Sequence, residues 1–140
     1  MAAANHRHER GVLDTSTLLL LSRIDDVGSL PAEPLISAIT LAELSVGPLV
    51  AGSEEERAAR QAHLQQAEAE FDPLPFDAAA ARAFGRVAAS LRRSGRNPAA
   101  RANDALIAAT ALANGLPVYT CNPDDFAGIA ALEVVPVPFR

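Results

Sequence analysis

Short apolar runs alternate with helix-forming segments along this chain, and that alternation limits the fold more than any other feature. Each run is only a few residues long and is followed by residues that commonly cap helices. Strands that alternate with helices favour a mostly parallel sheet covered by helices on both faces. The sequence therefore predicts the α/β class, as a three-layer α/β/α domain with a mostly parallel five-stranded sheet.

The predicted boundaries follow from the apolar runs, the caps and the helix-breaking residues. Five strands are expected, at Gly11–Asp14, Pro34–Ala38, Asp72–Phe76, Val118–Cys121 and Leu132–Val137. Helices are expected between them, at Thr15–Ile24, Thr40–Val50, Ser53–Phe71, Asp77–Gly95 and Asn103–Asn114. Ser53 and Asp77 open their helices as capping residues, and glycine and proline stop the last one.

Length and composition favour a single domain. The chain has 140 residues, of which 49% are hydrophobic and 21% charged, enough for one core. We expect this domain over residues 11–140, after a flexible leader over residues 1–10 that lacks the apolar centre of a signal peptide. The apolar stretch Val12–Leu21 is too short to span a bilayer, so no membrane association is expected. The lone Cys121 cannot form an intramolecular disulfide, which fits a reducing cytoplasm.

Charge excludes several kinds of chemistry. The net charge of −5 argues against a protein that coats nucleic acid by bulk attraction. All 12 basic residues are arginines, so no lysine nucleophile or Schiff base is available. Outside the leader the only histidine is His63, in a charged helix where we expect it to face solvent.

Acidic residues from distant parts of the chain are expected at the carboxyl edge of the sheet, where ligands bind in open parallel sheets. Asp14 ends the first strand, Glu43 lies in the helix after the second, and Asp104 opens the helix that precedes the fourth. The turn that leaves the fourth strand adds Asn122, Asp124 and Asp125. Each also has an ordinary explanation: a helix cap at Asp14, a capping box at Thr40-x-x-Glu43, a first-turn acid at Asp104, and turn chemistry.

Capping does not explain why these acids should converge. Carboxylates held close together repel each other, and a bound hard cation usually offsets that repulsion. The sequence therefore predicts a site for Mg²⁺ or Mn²⁺. Such a metal can activate a water molecule for attack on a phosphodiester without any side-chain nucleophile.

Four motifs then suggest a family: Val12-Leu13-Asp14-Thr15-Ser16, Thr40-Leu41-Ala42-Glu43-Leu44, Asn103-Asp104-Ala105-Leu106-Ile107-Ala108-Ala109-Thr110-Ala111 and Thr120-Cys121-Asn122-Pro123-Asp124-Asp125-Phe126. In this order the chain resembles a PIN-domain ribonuclease of the VapC type, the toxin of bacterial VapBC toxin–antitoxin modules. The resemblance implies a Mg²⁺-dependent endoribonuclease that cleaves cellular RNA and restrains growth. It also implies a homodimer and a cognate VapB-type antitoxin whose tail lies across the acidic groove.

By the same resemblance, Asp14, Glu43 and Asp104 are the metal-binding and catalytic acids. The fourth site residue could be Asn122, Asp124 or Asp125; Asp125 is favoured, with contact direct or through water, while Phe126 should anchor the turn in the core. Thr15 or Ser16 could hydrogen-bond a metal-bound water or a substrate phosphate, or simply cap the helix.

Two surfaces complete the predictions. One basic segment could grip RNA phosphates or be a solvated helix end; it comprises Arg92, Arg93, Arg96 and Arg101. Apolar residues at Leu18–Leu21 and the alanine-rich face of Asp77–Leu91 exceed what a thin core needs, so a dimer surface is expected there.

Three other interpretations of the acids compete with an endoribonuclease. A phosphoacceptor signalling domain would place a lysine beside them, and this chain has none. A catalytically silent, metal-binding PIN-like module acting through a partner is the main alternative. Cleavage of DNA is the third, because the acids act on the phosphodiester and do not read the 2′-hydroxyl.

Overall fold

A parallel sheet forms the centre of the molecule in this computed structural model, which describes residues 8–140. In that part of the chain the sheet has four strands, in the order β2-β1-β3-β4, and every pairing is parallel. The strands are β1 Arg10–Leu13, β2 Glu33–Leu35, β3 Val118–Thr120 and β4 Val134–Pro136.

Five α-helices connect and cover the strands within the described residues. They are α1 Thr15–Leu19, α2 Ala38–Val46, α3 Glu54–Glu70, α4 Ala78–Arg93 and α5 Ala102–Ala113. Short 3₁₀ turns lie in the connections between these strands and helices, at Leu21–Arg23, Val27–Ser29, Gly47–Val50, Pro98–Arg101 and Pro123–Phe126. None of the helices in residues 8–140 has the length and apolar character needed to cross a membrane.

The alternation of side chains along β1 creates two cores. Val12 points to one face of the sheet and packs with residues of α4 and α5, among them Val87 and Ile107. The next residue, Leu13, points to the other face, where it packs with Tyr119 of β3 and with Leu18 of α1. Helices therefore cover both faces, and the predicted three-layer α/β arrangement is confirmed.

The predicted strand Asp72–Phe76 is reduced to a single parallel bridge between Ser37 and Leu74. Two hydrogen bonds hold it: the Leu74 amide donates to the Ile36 carbonyl (2.9 Å), and the Ala38 amide donates to the Leu74 carbonyl (2.8 Å). Pro73 and Pro75 flank Leu74 and have no N–H to extend the ladder. The expected count of five strands was one too many.

Helix α2 begins earlier than the sequence indicated. Its N-cap is Ser37, whose buried hydroxyl accepts from the Thr40 amide (3.3 Å), so the predicted strand Pro34–Ala38 ends at Leu35 and the helix begins at Ala38. The Thr40-x-x-Glu43 capping box was therefore wrong, and both side chains are free for tertiary contacts. The predicted helix Thr15–Ile24 is also shorter than expected. The α-helix ends at Leu19, and the chain continues as the 3₁₀ turn Leu21–Arg23.

Part of the predicted leader contributes to the sheet. Residues 1–7 lie outside the described residues, but β1 already begins at Arg10. Backbone amides of Ala32 and Glu33 donate to the carbonyls of His8 (3.2 Å) and Glu9 (2.7 Å). The side of β1 that faces β2 is thus hydrogen-bonded from His8 onward.

The expected dimer surface is largely used inside the molecule. Ala83, Val87 and Leu91 on α4 are at most 1% exposed because α5 packs against them. Of Leu18–Leu21, only Leu19 remains exposed; the other three leucines are half-buried against the core around Leu13. The excess of apolar residues in these segments therefore does not indicate a dimer surface, and the homodimer itself stays a prediction.

Candidate functional site

Carboxylates from four segments meet at the carboxyl edge of the sheet. Asp14 directly follows β1, Asp125 lies in the 3₁₀ turn after β3, Glu43 is on α2 and Asp104 is in the first turn of α5. The charges of Asp125, Asp14 and Glu43 all raise the pKa of Asp104. The structure therefore brings together the acids that the sequence placed on one edge.

Asp14 is almost fully enclosed, at 3% exposure. It is the N-cap of α1: its Oδ1 accepts from the Thr17 amide (3.3 Å) and from the Thr17 hydroxyl. Its Oδ2 accepts from the hydroxyls of Ser16 (3.1 Å) and Thr120 (3.0 Å). Capping and membership of the acid cluster are thus both properties of Asp14, and its donors fix the orientation of the carboxylate.

Glu43 is held between two other helices. The Thr15 hydroxyl donates to Oε1 (2.6 Å), and the Asn103 side-chain amide donates to Oε2 (3.2 Å). Thr15 also shares a hydrogen bond with the Thr40 hydroxyl (2.9 Å). Because α2 begins at Ala38 rather than at Thr40, Glu43 lies in the second turn and reaches the start of both α1 and α5.

Asp104 is the acid of the cluster whose carboxylate accepts no hydrogen bond from the described residues. Its half-buried carboxylate has no hydrogen-bond or ion-pair partner among residues 8–140. Burial, followed by the negative charges of Asp125, Asp14 and Glu43, raises its pKa to about 6, against a smaller opposing effect of Arg101. An acid in this position is open to a cationic ligand.

The turn after β3 separates the three candidates for the fourth site residue. Asp125 accepts a hydrogen bond and ion pair from Arg101 (Nη1 to Oδ1, 2.5 Å). Asn122 is exposed and donates to the Ser16 hydroxyl (3.2 Å). Asp124 is exposed as well. Asp125 is therefore the one whose charge acts on Asp104, and Phe126 beside it is 1% exposed, which confirms the predicted anchor.

Two of the four residues of the predicted basic segment contact the same turn. Arg101 pairs with Asp125, and Arg96 donates to the Asp124 carbonyl (3.2 Å). Arg92 and Arg93 lie exposed in the last turn of α4. Their contact with RNA stays a prediction.

Sequence reasoning missed the polar residues that orient the acids. Thr17, Thr120, Thr40 and Asn103 all hydrogen-bond within the site. Thr17 could have been found, because a side chain three residues after an N-cap lies within reach of it. The contact of Thr120 could not, since it depends on β3 lying beside β1.

The donor set suits a hard divalent cation, because every acid offers only oxygen ligands. Within residues 8–140, however, no three Asp, Glu, His or Cys side chains are already arranged to hold a metal ion. In this arrangement Glu43 is engaged by Thr15 and Asn103, and Asp125 by Arg101. Binding a cation here requires some of these carboxylates to exchange partners.

Comparison with known proteins gives consistent similarities. The family model of the PIN domain matches residues 12–132, a span that includes all four acids. The chain is 41% identical over 132 residues to Ribonuclease VapC5 of Mycobacterium tuberculosis, covering 91% of this chain and 95% of that protein. It is 34% identical over 131 residues to Ribonuclease VapC4 of the same organism, covering 91% and 97%.

Two solved structures are similar in fold. One is the crystal structure of a member of the VapBC family of toxin-antitoxin systems, VapBC-5, from Mycobacterium tuberculosis; its TM-score is 0.80 at 39% identity, covering 92% of this chain and 99% of that chain. The other is FitAcB from Neisseria gonorrhoeae, with a TM-score of 0.68 at 27% identity, covering 88% and 94%. The similarity extends over nearly the full length of each.

Proposed function

This chain belongs to the PIN-domain family, and from that premise we propose that it is a Mg²⁺-dependent endoribonuclease, the toxin of a toxin–antitoxin pair. The family predicted from the four sequence motifs is thereby confirmed. The observation that carries the proposed activity is the meeting of Asp14, Glu43, Asp104 and Asp125 at one edge of the sheet.

Asp14, Glu43 and Asp104 would hold Mg²⁺, or Mn²⁺ in its place, with Asp125 as the fourth acid. When bound, such a cation lowers the pKa of a coordinated water and stabilises the charge that develops on the phosphodiester. The protein's own contribution is orientation. Thr17, Ser16 and Thr120 fix Asp14, while Thr15 and Asn103 fix Glu43.

Water is the proposed nucleophile because the described side chains offer no better one. Burial raises the pKa of the Cys121 thiol, which keeps it protonated, and the cysteine is enclosed below the site. His63 is exposed on α3. The hydroxyls nearest the acids donate hydrogen bonds to Asp14 and Glu43 and are engaged in holding them.

RNA is proposed as the substrate because the relatives are named ribonucleases. Arg101 and Arg96 contact the turn that carries Asp125, and Arg92 and Arg93 lie exposed at the end of α4. These four arginines are the proposed phosphate contacts. A cognate VapB-type antitoxin is proposed as partner because VapBC-5 is a member of a family of toxin–antitoxin systems. A homodimer, a cytoplasmic location and restraint of growth through RNA cleavage complete the proposal.

The test is cleavage by the purified, partner-free chain. Total cellular RNA is incubated with Mg²⁺ or Mn²⁺, with EDTA as a control, and the Asp14→Asn and Asp104→Asn variants are compared with the wild type. Discrete fragments should form only with the metal and should disappear in both variants. Asp72→Asn, an exposed acid away from the edge, is the matched control and should cut like the wild type.

Three outcomes would contradict parts of the proposal. Cleavage that survives both site substitutions would mean a contaminant or a wrong site. Preferential cutting of a DNA oligonucleotide over the matched RNA would defeat the choice of substrate. No cleavage, combined with metal binding that requires Asp14, would favour the catalytically silent module.

A further inference from the structure

Arg101 places a positive charge inside the acid cluster. Its guanidinium Nη1 donates to Asp125 Oδ1 at 2.5 Å, and the two side chains are 36% and 37% exposed. Arg101 is the residue immediately before α5, whereas Asp125 lies in the turn after β3. The ion pair therefore joins the two segments that carry Asp104 and Asp125.

The other described arginine ion pairs are made elsewhere. Arg57 and Arg60 pair with glutamates of their own helix, α3. Arg10 pairs with Glu33 across neighbouring strands, and Arg140 pairs with Asp25. Among residues 8–140, Arg101 is thus the cation paired with a carboxylate of the cluster.

The partners of the four acids differ in how easily they can be replaced. Asp14 is enclosed and held by donors from α1 and β3. Asp104 has no partner among the described residues. Asp125 is held by a half-exposed arginine, an interaction that water and salt weaken. Glu43 is held by the neutral donors Thr15 and Asn103. Asp125 is therefore the acid of the cluster whose partner is itself a cation, which an incoming cation would displace.

A guanidinium and a divalent cation repel each other, so a divalent cation on the Asp125 carboxylate weakens its ion pair with Arg101. We propose that Arg101 is an exchangeable counter-ion: it neutralises Asp125 in the metal-free protein, leaves when a divalent cation binds, and then contacts an RNA phosphate. Arginine suits this exchange because its planar fork matches carboxylate and phosphate equally well. The inference rests on the proposed function and adds a coupling, in which metal binding releases a group that binds substrate.

The first experiment measures metal affinity. Calorimetric titration of Mn²⁺ compares the wild type with Arg101→Met, which keeps the apolar stem and removes the competing charge. The variant should bind Mn²⁺ roughly two- to fivefold more tightly, the ratio that corresponds to a half-exposed ion pair. Arg82→Met, an exposed arginine of α4, makes the same change in net charge and should match the wild type.

The second experiment measures RNA affinity without metal. Binding of a fluorescent RNA oligonucleotide is followed in EDTA for Asp125→Asn and Asp124→Asn, two adjacent changes with the same effect on net charge. Asp125→Asn frees Arg101 and should bind RNA severalfold more tightly than Asp124→Asn. The gain should disappear in the Asp125→Asn/Arg101→Met double variant.

The outcomes separate this inference from the proposed function. Equal Mn²⁺ affinity in the wild type and Arg101→Met, or weaker affinity in the variant, would overturn the exchange and leave the metal dependence standing. Equal RNA binding by the two aspartate variants would overturn the transfer of Arg101 to phosphate. A wild type that binds no Mn²⁺ at all would contradict both the inference and the proposed metal dependence.

Discussion

Asp104 differs from its acidic neighbours because the fold surrounds it with negative charge without giving it a donor. Its pKa is raised from 3.8 to about 6, first by burial and then by Asp125, Asp14 and Glu43. Between those values the folded protein binds more protons at this residue than the unfolded chain does. Stability from this residue therefore increases as the pH falls through that window and is lost as the pH rises above it.

This sign gives a prediction for the metal-free protein. In EDTA at about pH 7, Asp104→Asn should melt at a higher temperature than the wild type, because it removes an uncompensated charge. The difference should shrink as the pH falls to about 4, where the wild-type carboxyl is protonated as well. Scanning calorimetry across this range is the measurement, and a difference independent of pH would contradict the assignment. The effect should be modest, since the group is half-exposed.

Thr17 shows how much the site depends on buried hydroxyls. Its hydroxyl donates to Asp14 and accepts from the Cys121 amide (2.9 Å), so Thr17→Val deprives two buried polar groups of a partner. We expect a decrease of about 1–3 kcal/mol in the free energy of unfolding, measured with urea. Thr110→Val is the control: Thr110 is equally buried but donates to the Leu106 carbonyl of its own helix. A similar decrease in both variants would mean that the Asp14 contact adds nothing.

At the scale of secondary-structure elements, local sequence patterns predicted the bounds of the helices better than the pairing of the strands. Ser53 and Asp77 cap α3 and α4 as expected, and α5 agrees with its predicted bounds to within one residue. The start of α5 lies near the carboxyl edge, as expected for Asp104, but the expected match in length is not the reason, since α5 has 12 residues (about 18 Å) and β3 has three (about 10 Å).

The errors arose where two local signals competed or where tertiary contacts decide. Ser37 and Thr40 are both good caps, and only the Leu74 bridge beside Ser37 fixes the helix start. Apolar residues around Leu74 predicted a strand, but the flanking prolines limit the ladder. The Arg101–Asp125 pair joins residues 24 apart whose proximity depends on how α5 packs beside the turn after β3, and no sequence pattern encodes that.

The packing of α4 on α5 depends on small side chains and supplies a prediction for this element. Ala83 on α4 and Ala108 on α5 are both fully buried in the same core. Ala108→Leu adds volume where close-packed helices leave none, so it should destabilise the fold by about 1–3 kcal/mol in urea unfolding. Ala81→Leu, on the exposed side of α4, should change stability by less than about 0.5 kcal/mol. Equal effects would mean that the helices can move apart at little cost.

For the molecule as a whole, charge distribution matters more than total charge. The net charge is −5, and an edge rich in carboxylates repels RNA phosphates. Arg92 and Arg93 are exposed at the end of α4, and Arg96 is half-buried against the turn that carries Asp124. If RNA binds there, a local basic surface must overcome the unfavourable total.

The salt dependence of RNA binding tests this arrangement. With the Asp14→Asn variant, which the proposed mechanism predicts to be inactive, log Kd should vary linearly with log salt concentration between about 50 and 200 mM, because each phosphate contact releases bound counter-ions. Adding Arg92→Gln and Arg93→Gln should lower the slope by about 0.7 for each arginine that no longer binds a phosphate of single-stranded RNA. The matched control adds Arg57→Gln, which removes an exposed charge already paired with Glu54 and should leave the slope unchanged. If all three substitutions lowered the slope equally, RNA would be responding to net charge, and the basic segment near the acids would have no special part in binding.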